Sequence, residues 1–214
     1  MLRPVYINDI AASARKNYRI LVGIAVLASV LIFWILAHVN GWFDNNLYPV
    51  RMNGRVGFIN TDGKLEIQPQ FSEGRFFSED LAAVQMNGKW GFIDKSGKLV
   101  INPQFDIADP FSEGLAMVGI GPTLGFIDKT GKYRIKPQYA GAGHFSSGLA
   151  PFTLGDRWGY INPYGQQVIS PQFEEAGNFS QGLASIRLGG GYGYIETSGK
   201  IVVNPQFGAA GDFH

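Results

Sequence analysis

The chain has 214 residues, 45% of them apolar and 16% charged, so it is neither disordered nor fibrous in composition and can bury a core. A formal charge of +1 gives no electrostatic reason to expect nucleic-acid binding, which needs clustered Lys and Arg. Cysteine is absent, which excludes disulfides, thiol nucleophiles and cysteine-held metals, while 29 Gly, 11 Pro, 16 Phe and 9 Tyr favour an all-β fold of short strands and turns.

In chain order, residues 1–19 come first and carry Arg3, Arg15, Lys16 and Arg19 against Asp9. Ile20 to Val39 then reads as twenty residues without a formal charge. As a helix that run is about 30 Å long and matches a hydrocarbon core, so residues 20–39 are predicted to form one transmembrane helix. The run exceeds the apolar region of a cleaved signal peptide, and Ala37-His38-Val39 offers no small-x-small cleavage site. The basic flank places residues 1–19 in the cytoplasm and the rest of the chain outside it. Trp34, Trp42 and Phe43 suit the headgroup region. The chain is thus expected to meet membrane lipid through this helix, with 40–46 as a linker.

From residue 47 the chain repeats itself. Gly57, Gly91, Gly125, Gly159 and Gly193 each open a Gly-aromatic-Ile triplet, and successive starts differ by 34. Pro69, Pro103, Pro137, Pro171 and Pro205 each open a Pro-Gln-aromatic triplet at the same interval. Gly63, Gly97, Gly131, Gly165 and Gly199 keep step between them. Such a period without insertion marks a repeat architecture whose units bury their apolar faces on one another. The units are taken as 47–80, 81–114, 115–148, 149–182 and 183–214, five whole modules with no orphan strand, which favours an open solenoid-like stack over a closed, propeller-like array.

Turn chemistry divides the unit 81–114 into three antiparallel strands. Leu81–Met86 is followed by Asn87-Gly88, a two-residue hairpin turn that requires positive φ at both positions. Lys89–Asp94 leads to a turn closed by Gly97, and Lys98–Asn102 is expected to stop at Pro103, which lacks a backbone donor. The remainder, FDIADPFSEG, reads as a loop. Ala82, Val84 and Met86 share an inward face, as do Ala116, Val118 and Ile120. Trp90 and Phe92 take one side of the second strand and Ile93 the other, so this strand is covered on both sides and central. Gly91, between two large rings, admits close approach of a neighbouring backbone or ring. Ile67, Ile101, Ile135, Ile169 and Val203 face the core, whereas Glu66, Val100 and Arg134 mark a variable outer row. Pro49 and Pro151 mark an unpaired backbone position in the first strand, as at an edge or bulge.

The stretch GKWGFIDKSGKLVINPQFDIADPFSEGLAMV resembles the WG, or KWG, repeat of bacterial proteins, and the likeness extends over about residues 47–214. The Trp-Gly pair is intact at Trp90-Gly91 and Trp158-Gly159, while Val56, Leu124 and Tyr192 stand in for Trp elsewhere. The resemblance implies a β-rich repeat domain, commonly extracytoplasmic, and transfers no catalytic residues.

Residues able to do chemistry are sparse. The histidines are His38, His144 and His214, so neither a nucleophile with its base nor a His-rich metal site assembles, and no cofactor or metal is predicted. The row Asn60, Asp94, Asp128, Asn162 and Glu196 supplies one side-chain oxygen group per turn, which suits turn bonding better than a calcium ladder. Glu174 and Glu175 are adjacent and expected to point apart as solvated charge. Arg187 to Tyr194 looks like a phosphate-binding glycine loop, but Gly189-Gly190-Gly191 falls on the hairpin turn and no helix follows. Trp90, Trp158, Tyr164 and Tyr192 could stack on sugars, though most are placed in the core. The reading is a non-enzymatic binding or scaffolding module whose partner is an envelope protein, with cell-wall or other glycan recognition as the alternative.

Overall fold

The computed structural model describes residues 46–211. The expected spanning helix at 20–39, and with it His38, lies outside the described residues, as does His214. Among the described residues no helix is long and apolar enough to cross a membrane.

The described chain is all β. The first sheet holds β1 (Tyr48–Met52), β2 (Arg55–Ile59) and β3 (Leu65–Phe71). The second holds β4 (Glu73–Gly74), β5 (Ala82–Met86), β6 (Lys89–Ile93) and β7 (Leu99–Phe105). The third is β8 (Ile107–Ala108), β9 (Leu115–Ile120), β10 (Thr123–Asp128) and β11 (Tyr133–Tyr139). The fourth is β12 (Gly141–Ala142), β13 (Ala150–Leu154), β14 (Arg157–Ile161) and β15 (Gln167–Phe173), and the fifth β16 (Glu175–Ala176), β17 (Leu183–Leu188), β18 (Gly191–Glu196) and β19 (Ile201–Phe207). Each sheet is antiparallel with its strands in chain order, and none closes on itself.

Four sheets therefore have four strands rather than the three expected. The extra strand comes from the segment read as a loop: one residue, such as Ser72, separates β3 from β4, so the chain passes straight from the end of one sheet to the edge of the next. This edge strand is two residues long, pairing Glu73 with Gln85 and Gly74 with Val84. It ends where Gly143 N–H donates to the carbonyl of Pro151 at 2.9 Å. The Pro151 nitrogen points to that same side, beyond the end of β12, where a missing donor costs nothing.

The first hairpin turns follow their sequence. Asn53-Gly54 and Asn87-Gly88 have φ of 51° and 76°, and 51° and 78°. The third strand departs from expectation, because it runs through its proline to Phe105. Trp90 pairs with Phe105 and Phe92 with Ile101, so Asn102, Pro103 and Gln104 stand opposite Gly91 alone. Pro103 sits in this bulge, where no ladder donor is required of it. The bulged backbone folds down over Gly91, and a Cβ there would lie 2.5 Å from the Ile101 carbonyl oxygen and 2.7 Å from the Pro103 nitrogen. Gly57, Gly125, Gly159 and Gly193 meet the same atoms of Pro69, Pro137, Pro171 and Pro205. The glycine and proline markers thus form one device. A second bulge follows, with Phe92 opposite Ile101 but Ile93 opposite Leu99, and it turns Val100 outward at 44% exposure.

Each sheet has a leading face toward the unit before it and a trailing face toward the unit after it. Leu47, Phe58, Ile67 and Phe71 on the first trailing face pack against Ala82, Val84 and Ile93 on the second leading face. The same layer recurs between the second and third sheets, with Phe92, Ile101 and Phe105 on Ala116, Val118 and Ile127. It recurs again on Ala150, Phe152 and Ile161, and on Ala184, Ile186 and Ile195. One side is aromatic and the other small or β-branched, so rings fit over the alanines at close range. Burying each such ring contributes about 1.5–3 kcal/mol. The apolar face of the first strand is only partly inward, because Met86 is half-buried and Ile120 is 45% exposed at the hairpin tip. The outermost faces do not cover one another: Tyr48 and Met52 at one end are 41% and 48% exposed, and Phe207 at the other is 47% exposed.

Two glycine comparisons test this account. Gly63 and Gly97 have φ of 79° and 83°, but a Cβ at Gly63 meets nothing, while one at Gly97 lies 3.1 Å from the Ile67 side chain of the preceding unit. Gly63→Ala is expected to cost the backbone strain alone, about 1 kcal/mol, and Gly97→Ala more. Gly91→Ala, which drives a methyl into backbone, should cost about 3 kcal/mol and lower the urea midpoint most of the three.

Candidate functional site

The second turn of each unit is built on its first residue. The Asp94 carboxylate accepts from Ser96 N–H at 2.9 Å, Ser96 Oγ–H at 2.5 Å and Lys98 N–H at 3.1 Å. Asp128 accepts from Thr130 and Lys132 in the same way. Asn60 and Asn162 each accept two backbone N–H groups through Oδ1 at 2.9–3.0 Å. Glu196, one methylene longer, instead accepts from Ser198 Oγ–H, and Ser198 Oγ in turn accepts from Lys200 N–H. These oxygens are committed to their own turns, and among the described residues no three His, Asp or Glu side chains converge as a metal site would need.

Glu174 and Glu175 do not point apart as expected; both turn to Arg187. Arg187 donates to Glu175 at 2.9 Å, and its Nε lies 3.6 Å from Glu174. Glu175 also accepts from Tyr192 Oη–H at 2.6 Å, a bond that holds its carboxyl below the usual range, with Arg187 adding to the effect. Glu174 accepts from the N–H groups of Gly189 and Gly190 at 3.1 and 3.3 Å. The glycine run therefore does cradle an anion, but the anion is this chain's own carboxylate.

Connecting loops form a second edge. Ser78, Ser112, Ser146 and Ser180 each bridge to a leucine three residues on, around a pair such as Glu113-Gly114 with φ of 53° and 79°. The Ser78 and Ser112 hydroxyls donate to the carbonyls of Phe111 and Phe145 in the following loops, at 2.6 and 2.7 Å. Glu79 accepts from Gly114 N–H, and Glu113 from Gly148 N–H. The loops are thus laced to one another. The reading of FDIADPFSEG as an unstructured connection missed this, although serine at a 34-residue interval is visible in the sequence.

Between these loops lies a cleft of about 420 Å³ lined by Arg75, Asp109, Pro110 and His144. Arg75 pairs with Asp109 at 3.3 Å and stacks over the Trp90 ring at 5.2 Å, so its charge is matched from within. His144 is exposed on the rim. The serines that line this cleft hold loop carbonyls, and the arrangement can bind without supplying a nucleophile.

The hairpin tips make a third row. Met52, Met86, Ile120, Leu154 and Leu188 occupy one repeat position, each beside a turn. Met52, Ile120 and Leu154 are 48%, 45% and 48% exposed, while Met86 and Leu188 lean on cores. Of the rings considered for sugar stacking, Trp90 and Trp158 pack on cores, Tyr192 is bonded to Glu175, and Tyr164 is 75% exposed.

The sheets, bulges and stacked faces define a tandem β-sheet repeat protein. A family described as WG containing repeat matches at residues 57–90, 90–121, 125–158, 158–192 and 192–214, and the chain belongs to this family. No curated protein sequence matches the chain. Among solved structures it is similar to Hsv2p of Kluyveromyces lactis, with a TM-score of 0.52 and 11% identity over 72% of this chain and 58% of that one. A eukaryotic initiation factor matches with a TM-score of 0.52 and 10% identity, over 78% of this chain and 53% of the other. The chain spans less than two thirds of these structures, and the likeness is one of propeller-like β-repeat fold alone.

The turn carboxylates predict a pH response. The Ser96 hydroxyl above all holds Asp94 below the usual carboxylate range, and the Thr130 hydroxyl does the same for Asp128. A folded-state value lowered in this way gives stability that is complete above the unfolded value of about 3.9 and lost as pH falls through the folded value. Asn60 and Asn162 show that an amide makes the same turn. The double variant Asp94→Asn, Asp128→Asn should therefore keep its β circular dichroism at neutral pH and unfold at lower pH than the parent in an acid titration.

Proposed function

We propose that this chain is a non-enzymatic binding and scaffolding module of the bacterial cell envelope, held at the membrane by residues 20–39 and presenting its repeats outside the cytoplasm to a partner protein. The observation that carries the reading is the hairpin-tip row. Solvent would select polar residues at an exposed β-turn flank, yet all five units place a large aliphatic side chain or methionine there. Spaced along one edge of a rigid stack, such side chains offer an apolar strip that a protein partner can cover. The loop-edge cleft supports binding over catalysis, since its serines and its arginine are engaged within the protein.

Glycan recognition is the alternative, and it rests on Tyr164. The equivalent positions are Asp62, Ser96, Thr130 and Ser198, so no row of rings extends the platform along the array. Protein is the partner favoured.

Photo-crosslinkers at positions 120 and 154 in intact membranes should both capture one and the same protein, and a crosslinker at Glu66 on the outer row should not. Ile120→Asp with Leu154→Asp should weaken that capture at least about tenfold without changing the fold, as loss of a buried apolar anchor does. Capture of unrelated neighbours, or equal capture from position 66, would remove the reading. Retention in membranes after carbonate washing, with the repeats cleaved by protease added outside spheroplasts, checks the anchor and its orientation.

A further inference from the structure

The fifth unit ends as if another unit followed. Its trailing face carries Tyr194, Val203 and Phe207, at the positions of Tyr160, Ile169 and Phe173 in the fourth. Phe173 is 1% exposed beneath the fifth sheet, whereas Phe207 is 47% exposed. The segment after it keeps the path seen in the preceding unit: Tyr194 Oη–H donates to the Gly211 carbonyl at 3.0 Å, as Tyr160 Oη–H does to Gly177 at 2.8 Å. Ala209 and Ala210 stand 34 residues after Glu175 and Ala176, the edge strand that pairs with Arg187 and Ile186 of the next sheet. Yet residues 209–210 pair with no strand.

The first sheet shows the reciprocal features. It alone has three strands, with β1 at its edge. Val50 and Ile59 on its leading face are half-buried, where their equivalents Val84 and Ile93 are fully covered. Arg51 and Val50 occupy the positions at which Gln85 and Val84 receive the edge strand β4.

We propose that the trailing face of the fifth unit docks on the leading face of the first sheet in a second copy of this chain, with residues 209–210 added to the edge of β1. The contact continues, head to tail, the interface the protein already makes four times within itself. A face that is aromatic on one side and small or β-branched on the other cannot pair with its like, so the association is heterologous and can propagate. One position departs from the pattern: Tyr48 stands where Ala82, Ala116, Ala150 and Ala184 lie beneath rings. The larger side chain makes the intermolecular contact weaker than the internal ones, and therefore dependent on concentration.

Because the chain has no cysteine, the register can be tested directly. Residues 209 and 51 would be cross-strand partners, as Glu73 and Gln85 are, at a separation a disulfide can span. Full-length Arg51→Cys and Ala209→Cys chains, reconstituted together in lipid vesicles and mildly oxidised, should form a mixed dimer. Adding Phe207→Asp, at an exposed position, should reduce its yield at least fivefold, and Tyr48→Ala should raise it. Three results would overturn the proposal. One is a yield no higher than Ala209→Cys gives with Glu66→Cys. Another is a monomeric crosslink in the double-cysteine chain, which would mean that the array closes on itself. The third is protection of position 51 by residues 39–40 of its own chain, which stand 34 positions before β4.

Discussion

Each sheet in this protein has two apolar faces and no means of covering either alone, and that constraint governs the rest. A ring such as Phe92 or Phe126 is fully buried only because the next unit lays alanine and branched side chains over it. The unit is stable through its neighbours, so local features are selected for keeping successive sheets at one spacing and angle. The glycine at 57, 91, 125, 159 and 193 and the proline twelve residues on serve that end together. The bulge they allow brings Ile101 and Phe105 and their equivalents onto the trailing face, while the neighbouring Val100 position is turned to solvent.

The links between units follow from the same arrangement. The chain crosses from sheet to sheet in one residue, and its loops are tied forward by Ser78 and Ser112 hydroxyls and by the carboxylates of Glu79 and Glu113. Charge is handled locally, in surface pairs such as Lys89 with Asp106 or Arg187 with Glu175, which contribute little individually and leave the apolar layers as the main source of cohesion. What remains outward is an edge of apolar hairpin tips, a cleft among laced loops, and two unlike end faces. All three are binding surfaces in kind, and each is produced by repetition rather than by an inserted element.

The tandem period, the Asn-Gly hairpins, the central position of the second strand and the turn role of Asp94 and Asp128 were legible in the chain, because each depends on residues within a few positions of one another or on a strict interval. The passage of the third strand through Pro103 was not, since a proline reads as a stop unless the bulge opposite Gly91 is known. Nor was the edge strand at Ile107–Ala108, too short to carry a periodic pattern, or the turning of Glu174 and Glu175 to one arginine, which depends on how the hairpin folds back over the strand before it.

By itself the sequence determined a repeated β module, its turns and the alternation of its faces, for these follow from steric and hydrogen-bonding demands inside each unit. Only the tertiary structure decided that every sheet takes its edge strand from the unit before, that Met86 and Ile120 leave the core at the hairpin tips, and which faces the array leaves uncovered. Those outcomes depend on how one unit sits upon the next, a relation fixed by packing between residues some 34 positions apart that no local pattern records.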